Sequence, residues 1–127
     1  MKLAALALPA LSLATCTQTP QVDGTRWTIA SVDGDPVRTM RPIEIGFDRN
    51  RIAGTTGCSD FKGRYQINGE QMTTSRMRSN KLRCPGPGME VEAKFNRIIT
   101  NQMLVRLHGR TLTLTNSHGS ATFFSVR

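Results

Sequence analysis

The chain has 127 residues, a formal net charge of +8 and 38% hydrophobic residues. That length supports one domain with one modest core. Thirteen arginines against four lysines are scattered from Arg26 to Arg127 with few aromatics between them, which argues against a nucleic-acid binder. A basic domain suits anionic lipid headgroups, cell-wall polymers or acidic partners; a merely solvated basic surface is the plainer reading.

The chain opens Met1-Lys2 and then runs through residues 3–13 without a charge. A short positive segment followed by an apolar stretch of this length is the pattern of an export signal. The stretch falls short of the roughly 20 apolar residues that span a bilayer, and Pro9 interrupts it as a helix. Residues 1–15 are therefore expected to be a signal peptide, leaving 112 residues with a formal charge of +7. The stretch ends Leu13-Ala14-Thr15-Cys16. This resembles the bacterial lipobox, whose cysteine is diacylated and becomes the new N-terminus. Thr15 departs from the usual Gly, Ala or Ser. Cleavage nearby that leaves Cys16 as a free thiol is the alternative. Thr17 is not the Asp that holds bacterial lipoproteins at the inner membrane, so the resemblance implies the periplasmic face of the outer membrane. Residues 16–23 then form a lipidated tether and residues 24–127 the domain.

The domain reads as short strands and tight turns. Trp27, Ile29 and Ser31 share a face of the first strand, over residues 27–32, which a turn at Asp33-Gly34-Asp35-Pro36 ends. Residues 43–47 alternate cleanly, and Asp48-Arg49-Asn50 closes a hairpin into residues 51–54. Residues 54–63 are loop-like. Residues 64–67 form a strand, Asn68-Gly69 a strong hairpin turn, and residues 72–75 its partner. Residues 76–88 are irregular, with Pro85-Gly86-Pro87-Gly88 as a breaker.

One helix is expected over residues 89–101. Val91, Phe95, Ile98 and Ile99 form its apolar stripe, and Glu90 and Glu92 suit its first turn. Strands at residues 103–107, 111–115 and 121–126 follow, separated by turns at His108-Gly109-Arg110 and residues 116–119. The expected fold is α+β but mostly β: a curved antiparallel sheet or partly closed barrel, with one helix from the C-terminal half packed on it.

The stretch Gly57-Cys58-Ser59, then Phe61, then Gly63-Arg64-Tyr65 resembles the signature of the META/HslJ domain, a Gly-Cys-Asn followed by a Gly-x-Tyr that opens a strand. Trp27 behind Gly24, residues 79–84 ending in Cys84, Glu92 with Phe95, and Gly109-x-x-Leu112-x-Leu114 extend the likeness over residues 24–126. Ser59 replaces the family's Asn, and Asn80 its Thr. The resemblance implies a β-rich barrel-like fold in a bacterial envelope lipoprotein. It further implies links to the heat-shock response and novobiocin resistance, more distantly to secretion or motility, and no settled reaction. The implied fold is similar to that of secretion pilotins, which hold acyl chains or partner peptides.

Three chemistries can be weighed on the residues. Cys58 and Cys84 would oxidise outside the cytoplasm. A structural bridge over 26 residues is worth about 3 kcal/mol, and without a C-x-x-C it is a better reading than a redox pair. A pairing of Cys84 with Cys16 would instead remove the anchor. A zinc site of Cys58, Cys84, His108 and His118 matches no known spacing, so no metal or cofactor is expected. Ser59, Ser75 and Ser79 lack a nucleophile elbow, and no two of the nine carboxylates are placed as an acid–base pair. The stripe Val91, Phe95, Ile98, Ile99 is either core or the lining of a groove for an acyl chain or peptide. The sequence thus leads to a monomeric, non-enzymatic, lipid-anchored envelope protein with a partner-binding, lipid-binding or stress role. Its alternatives are an inhibitor of a cell-wall enzyme, which a basic domain would repel when the enzyme is a basic lysozyme, and a periplasmic thiol oxidoreductase or hydrolase.

Overall fold

The computed structural model describes residues 19–126 apart from 40, 81, 83–85, 87 and 101. The expected signal peptide, Cys16 and Cys84 lie outside the described residues. Among the described residues nine strands and one helix follow in the order β1 (Thr25–Val32), β2 (Asp35–Pro36), β3 (Glu44–Asp48), β4 (Arg51–Thr55), β5 (Asp60–Asn68), β6 (Gln71–Ser79), α1 (Gly88–Ile99), β7 (Met103–His108), β8 (Thr111–Asn116) and β9 (Gly119–Val126). The sheet is antiparallel throughout, and β9 pairs back onto β1. Eight strands close a barrel, with the short β2 as a flap on the end of β1. Closure goes one step beyond the partly closed sheet expected from the sequence, and it leaves the barrel strands without a free long edge except where pairing fails.

Alternation puts the core inside. Ile45 and Phe47 of β3, Ile52 of β4, Phe61 and Tyr65 of β5, Leu112 and Leu114 of β8 and Phe123 of β9 are all buried. Eight strands make a barrel just wide enough for side chains to fill. The β3–β4 turn has Arg49 and Asn50 both at positive φ, the twist a two-residue hairpin favours.

Several boundaries move from the sequence expectation, each for a local reason. In β1 the register against β9 shifts between Ile29 and Ser31. The extra residue turns Val32 inward (6% exposed) in place of Ser31, beside Trp27 and Ile29. The stretches expected as loop and irregular segment extend β5 back to Asp60 and β6 forward to Ser79. Lys62 pairs with Arg78 and Arg64 with Ser75, so Gly63 opposes both Arg76 and Met77. Arg76 takes up the irregularity at φ 52°. A bulge of this kind breaks the period-2 pattern that marks a strand in sequence. The Asn68-Gly69 hairpin is present, but its central residues are Gly69 and Glu70, since Asn68 still pairs with Gln71. The helix starts at Gly88 and ends at Ile99, two residues before the expected end.

Candidate functional site

The β1–β2 turn, the β4–β5 loop and the β8–β9 turn lie at one end of the barrel, and α1 crosses that end as a lid. Phe95, Ile98 and Ile99 are buried, and Val91 is partly buried against the same core. The Phe95 ring lies 6.0 Å from Phe61 and 6.0 Å from Phe123. The stripe from the sequence analysis thus spends most of its apolar surface inside the barrel mouth.

Polar ties fasten the lid around its rim. Thr56 Oγ1 donates to Glu92 Oε1 at 2.7 Å. Lys94 forms an ion pair with Asp33 of the β1–β2 turn. Asn116 Nδ2 donates to the Ile98 carbonyl at 2.9 Å, and the Thr74 hydroxyl donates to the Ile99 carbonyl. The last two satisfy carbonyls that a helix C-terminus leaves without intrahelical partners. Asp33 also accepts the Ser120 amide at 2.8 Å. The Lys94 bond, followed by that amide, holds its carboxyl below the ordinary carboxylate range. The stability carried by this exposed group is therefore present above that range and fades as pH falls through the lowered value.

Within this end the motif residues have structural duties. Gly57 sits at φ +93°, where a Cβ would stand 3.2 Å from the Arg41 carbonyl oxygen; no L side chain suits that position. Ser59 is 2% exposed. Its hydroxyl donates to the Leu82 carbonyl at 3.0 Å, and its amide donates to Thr56 Oγ1 at 3.2 Å. Thr56 N donates in turn to the Ser59 carbonyl at 2.8 Å. Asn80, in the other position that departs from the family pattern, accepts the Asp60 amide at 3.0 Å. Both residues that depart from the family pattern are thus hydrogen-bonded in this chain. Gly63 faces the β6 bulge: a Cβ there would strike the Met77 sulfur and approach the Ser75 carbonyl oxygen to 3.0 Å. The Cys58 sulfur lies 3.5 Å from the Leu82 carbonyl oxygen.

Thr56 is the hub of this network, and sequence reading passed over it. Thr56→Val deprives the Ser59 amide of an acceptor and Glu92 of a donor, so it should cost about 1–3 kcal/mol of unfolding free energy. Denaturant titration of wild type and variant measures it.

The other motif residues lie elsewhere. Trp27 is buried in β1, and its indole N–H donates to Thr25 Oγ1 at 2.7 Å. The Tyr65 ring meets Phe47 edge-on at 5.0 Å, and its hydroxyl donates to Asp23 Oδ1 at 3.4 Å. Burial, then the Asp23 charge and hydrogen bond, push the phenol above its ordinary value of 10.0. A raised phenol contributes stability that is whole below the ordinary tyrosine range and is lost only as pH climbs through the raised value. Tyr65 is the only tyrosine, so phenolate absorbance reports it alone. Its midpoint should lie above that of free tyrosine and fall back toward it in Asp23→Asn.

Several depressions mark the surface of the described residues. A trough of about 700 Å³ crosses the outer faces of β1, β3 and β4, floored by Gly46 and Ala53 and flanked by Arg26, Glu44, Asp48 and Arg51. A cleft of about 460 Å³ lies between α1 and the β5–β6 strands, with Phe61, Met77, Arg78, Leu82 and Ile99 among its lining. His108 ends β7 and His118 lies in the β8–β9 turn, at the two ends of β8. Among the described residues no group of three or more His, Cys, Asp or Glu is placed to hold a metal, and no helix is long and apolar enough to cross a membrane.

The structure is similar to that of a protein solved by NMR, with 24% identity, a TM-score of 0.72, and coverage of 82% of this chain and 91% of the other. It is also similar to a protein from Burkholderia xenovorans solved by NMR, with 18% identity, a TM-score of 0.66 and 83% of each chain covered. At these identities the likeness is one of fold. No curated protein sequence matches the chain. The family model for the META domain matches residues 20–127, which takes in every barrel strand, the lid and the motif residues that fasten it; the chain belongs to the META domain family.

Proposed function

We propose that this META domain is a non-enzymatic envelope module. In this reading a lipid on Cys16 holds it at the periplasmic face of the outer membrane, a Cys58–Cys84 bridge staples it, and its rigid barrel meets a partner there. One observation carries the non-enzymatic part. The polar groups of the family motif are already engaged in holding the fold: Thr56 and Ser59 bond each other, Glu92 and Leu82, and Tyr65 reaches Asp23. A catalytic group needs a reacting atom within its reach, and here that reach goes to the lid and the rim. The neighbourhood of the Cys58 sulfur and the Leu82 carbonyl, two residues before Cys84, supports the bridge. The stress role rests on the family resemblance.

The anchor is tested with Cys16→Ser. Wild type should fractionate with membranes and take up labelled fatty acid, and the variant should be soluble and unlabelled, because a covalent lipid is the main membrane affinity available to so polar a chain. Equal fractionation of the two proteins would refute the anchor. A thiol titration addresses the bridge: a structural disulfide leaves Cys58 and Cys84 unreactive in the folded protein, whereas a catalytic pair exchanges readily.

A further inference from the structure

The barrel is nearly split at one seam. β6 pairs with β7 only through Gln71–Leu104 and Met72–Met103. Beyond them β7 has not begun, and residues 73–78 of β6 have β5 on one side but no strand on the other among the described residues. Where the missing neighbour would lie, a cleft of mixed polarity opens between β6 and α1, with Arg78 on one side and Glu92, already engaged by Thr56, on the other. Its floor is Phe61, Met77 and Ile99. Leu82 stands at its mouth, 54% exposed. An open strand edge is a template for another strand, and a pocket beside it can take an alternate side chain of that strand.

Two features select the occupant. Arg76 and Arg78 are exposed on this edge, in a chain of net charge +8. Two copies meeting edge to edge would bring these arginines together, which disfavours self-pairing. An acidic strand would meet them favourably. The bulge at Arg76, with its φ of 52°, turns the edge there, so the regular stretch beside the cleft is Met77 and Arg78.

We propose that this seam docks an extended acidic segment of a partner protein. The segment adds as a short strand to β6 at Met77 and Arg78, sets its carboxylates against Arg76 and Arg78, and drops an apolar side chain between Met77 and Leu82. This deepens the partner-binding reading above and rests on it.

The test is an NMR titration of the ¹⁵N-labelled full chain, carrying Cys16→Ser to keep it in solution. The probe is a short acetylated peptide alternating glutamate with leucine. The expected result is saturable shifts at the amides of Met77, Arg78, Asn96 and Thr100, with those of Gly46 and Ala53 unmoved. Arg78→Glu, an exposed change that should leave the fold intact, is expected to weaken binding about tenfold, as loss and reversal of a favourable charge contact does. The matching lysine–leucine peptide should not bind. No saturable shifts, shifts centred on the β3–β4 trough, or equal binding of both peptides would overturn the inference. Failure here leaves the fatty-acid labelling of Cys16 untouched, and loss of that labelling leaves peptide binding untouched, so the two readings fail separately.

Discussion

Phe95→Ala should lower the free energy of unfolding by about 3–5 kcal/mol, the range for truncating a fully buried aromatic. Phe95 is 0% exposed and sits between Phe61 and Phe123, edge-on or tilted to both. Its removal leaves a void at the junction of lid and barrel. The strands that carry Phe61 and Phe123 are each paired on both sides, β5 with β4 and β6 and β9 with β8 and β1, so they have little freedom to collapse into that void. Against a total stability of about 5–15 kcal/mol the loss is severe, and the lid should suffer before the barrel does. Hydrogen exchange should show protection falling first along α1. A loss under about 1 kcal/mol would mean that the helix is a surface ornament and not a plug.

Gly54→Ala should also destabilise the fold, by a different mechanism. A Cβ at Gly54 would overlap the Glu44 carbonyl oxygen, and would stand 2.9 Å from the Glu44 carbonyl carbon and 3.0 Å from the Ile45 Cα. All three obstacles are backbone of the paired strand β3, so no side chain can swing aside. Relief requires parting the β3–β4 ladder between Ile45 and Gly54, and forced overpacking of this kind costs about 1–3 kcal/mol or more. Gly46→Ala is the control. There the nearest atom would be Arg26 Cγ at an ordinary 3.6 Å, and removing a strand glycine lowers the entropy lost on folding. It should be neutral or slightly stabilising. Thermal unfolding of the pair separates a steric from a conformational role for these two glycines, which look alike in sequence.

That pair also illustrates what the sequence could and could not convey. Strands with strict alternation, such as β3 and β8, were legible because one face is buried and the period is 2. The helix was legible from Val91, Phe95, Ile98 and Ile99. Irregular strands were not. The bulges after Ile29 in β1 and opposite Gly63 in β6 each add one residue that breaks the alternation, which hides Val32 as core and makes residues 76–79 look irregular; residues 60–63 do alternate, but the glycines before them mark that stretch as loop. The site was hidden for another reason. Thr56 and Glu92 are 36 residues apart, and Asp33 meets Lys94 only because α1 folds over the β1–β2 turn. Nothing local marks such ties. Thr74, a polar residue at an inward position of β6, was the nearest thing to a signal, since a buried hydroxyl needs a partner. The motif glycines and Ser59 were found through their family resemblance, and their duties only through the geometry.

The geometry in turn gives the resemblance a physical content. Gly57 makes the turn, Ser59 and Thr56 close it, and Glu92 reaches down to it from the lid. Ser59 fills its place with one hydroxyl donated to the Leu82 carbonyl, and Asn80 binds the Asp60 amide instead, so the two departures from the family pattern leave the rim fastened. On the proposed reading, what distinguishes this chain from a bare barrel is where a lipid on Cys16 holds it and what its open seam meets.

Intact mass of the protein extracted from membranes tests that account most directly. The account predicts a chain beginning at a diacylglyceryl-modified Cys16, with two hydrogens missing for the Cys58–Cys84 bridge. A chain cut at another residue and carrying three free thiols would contradict both the anchor and the staple.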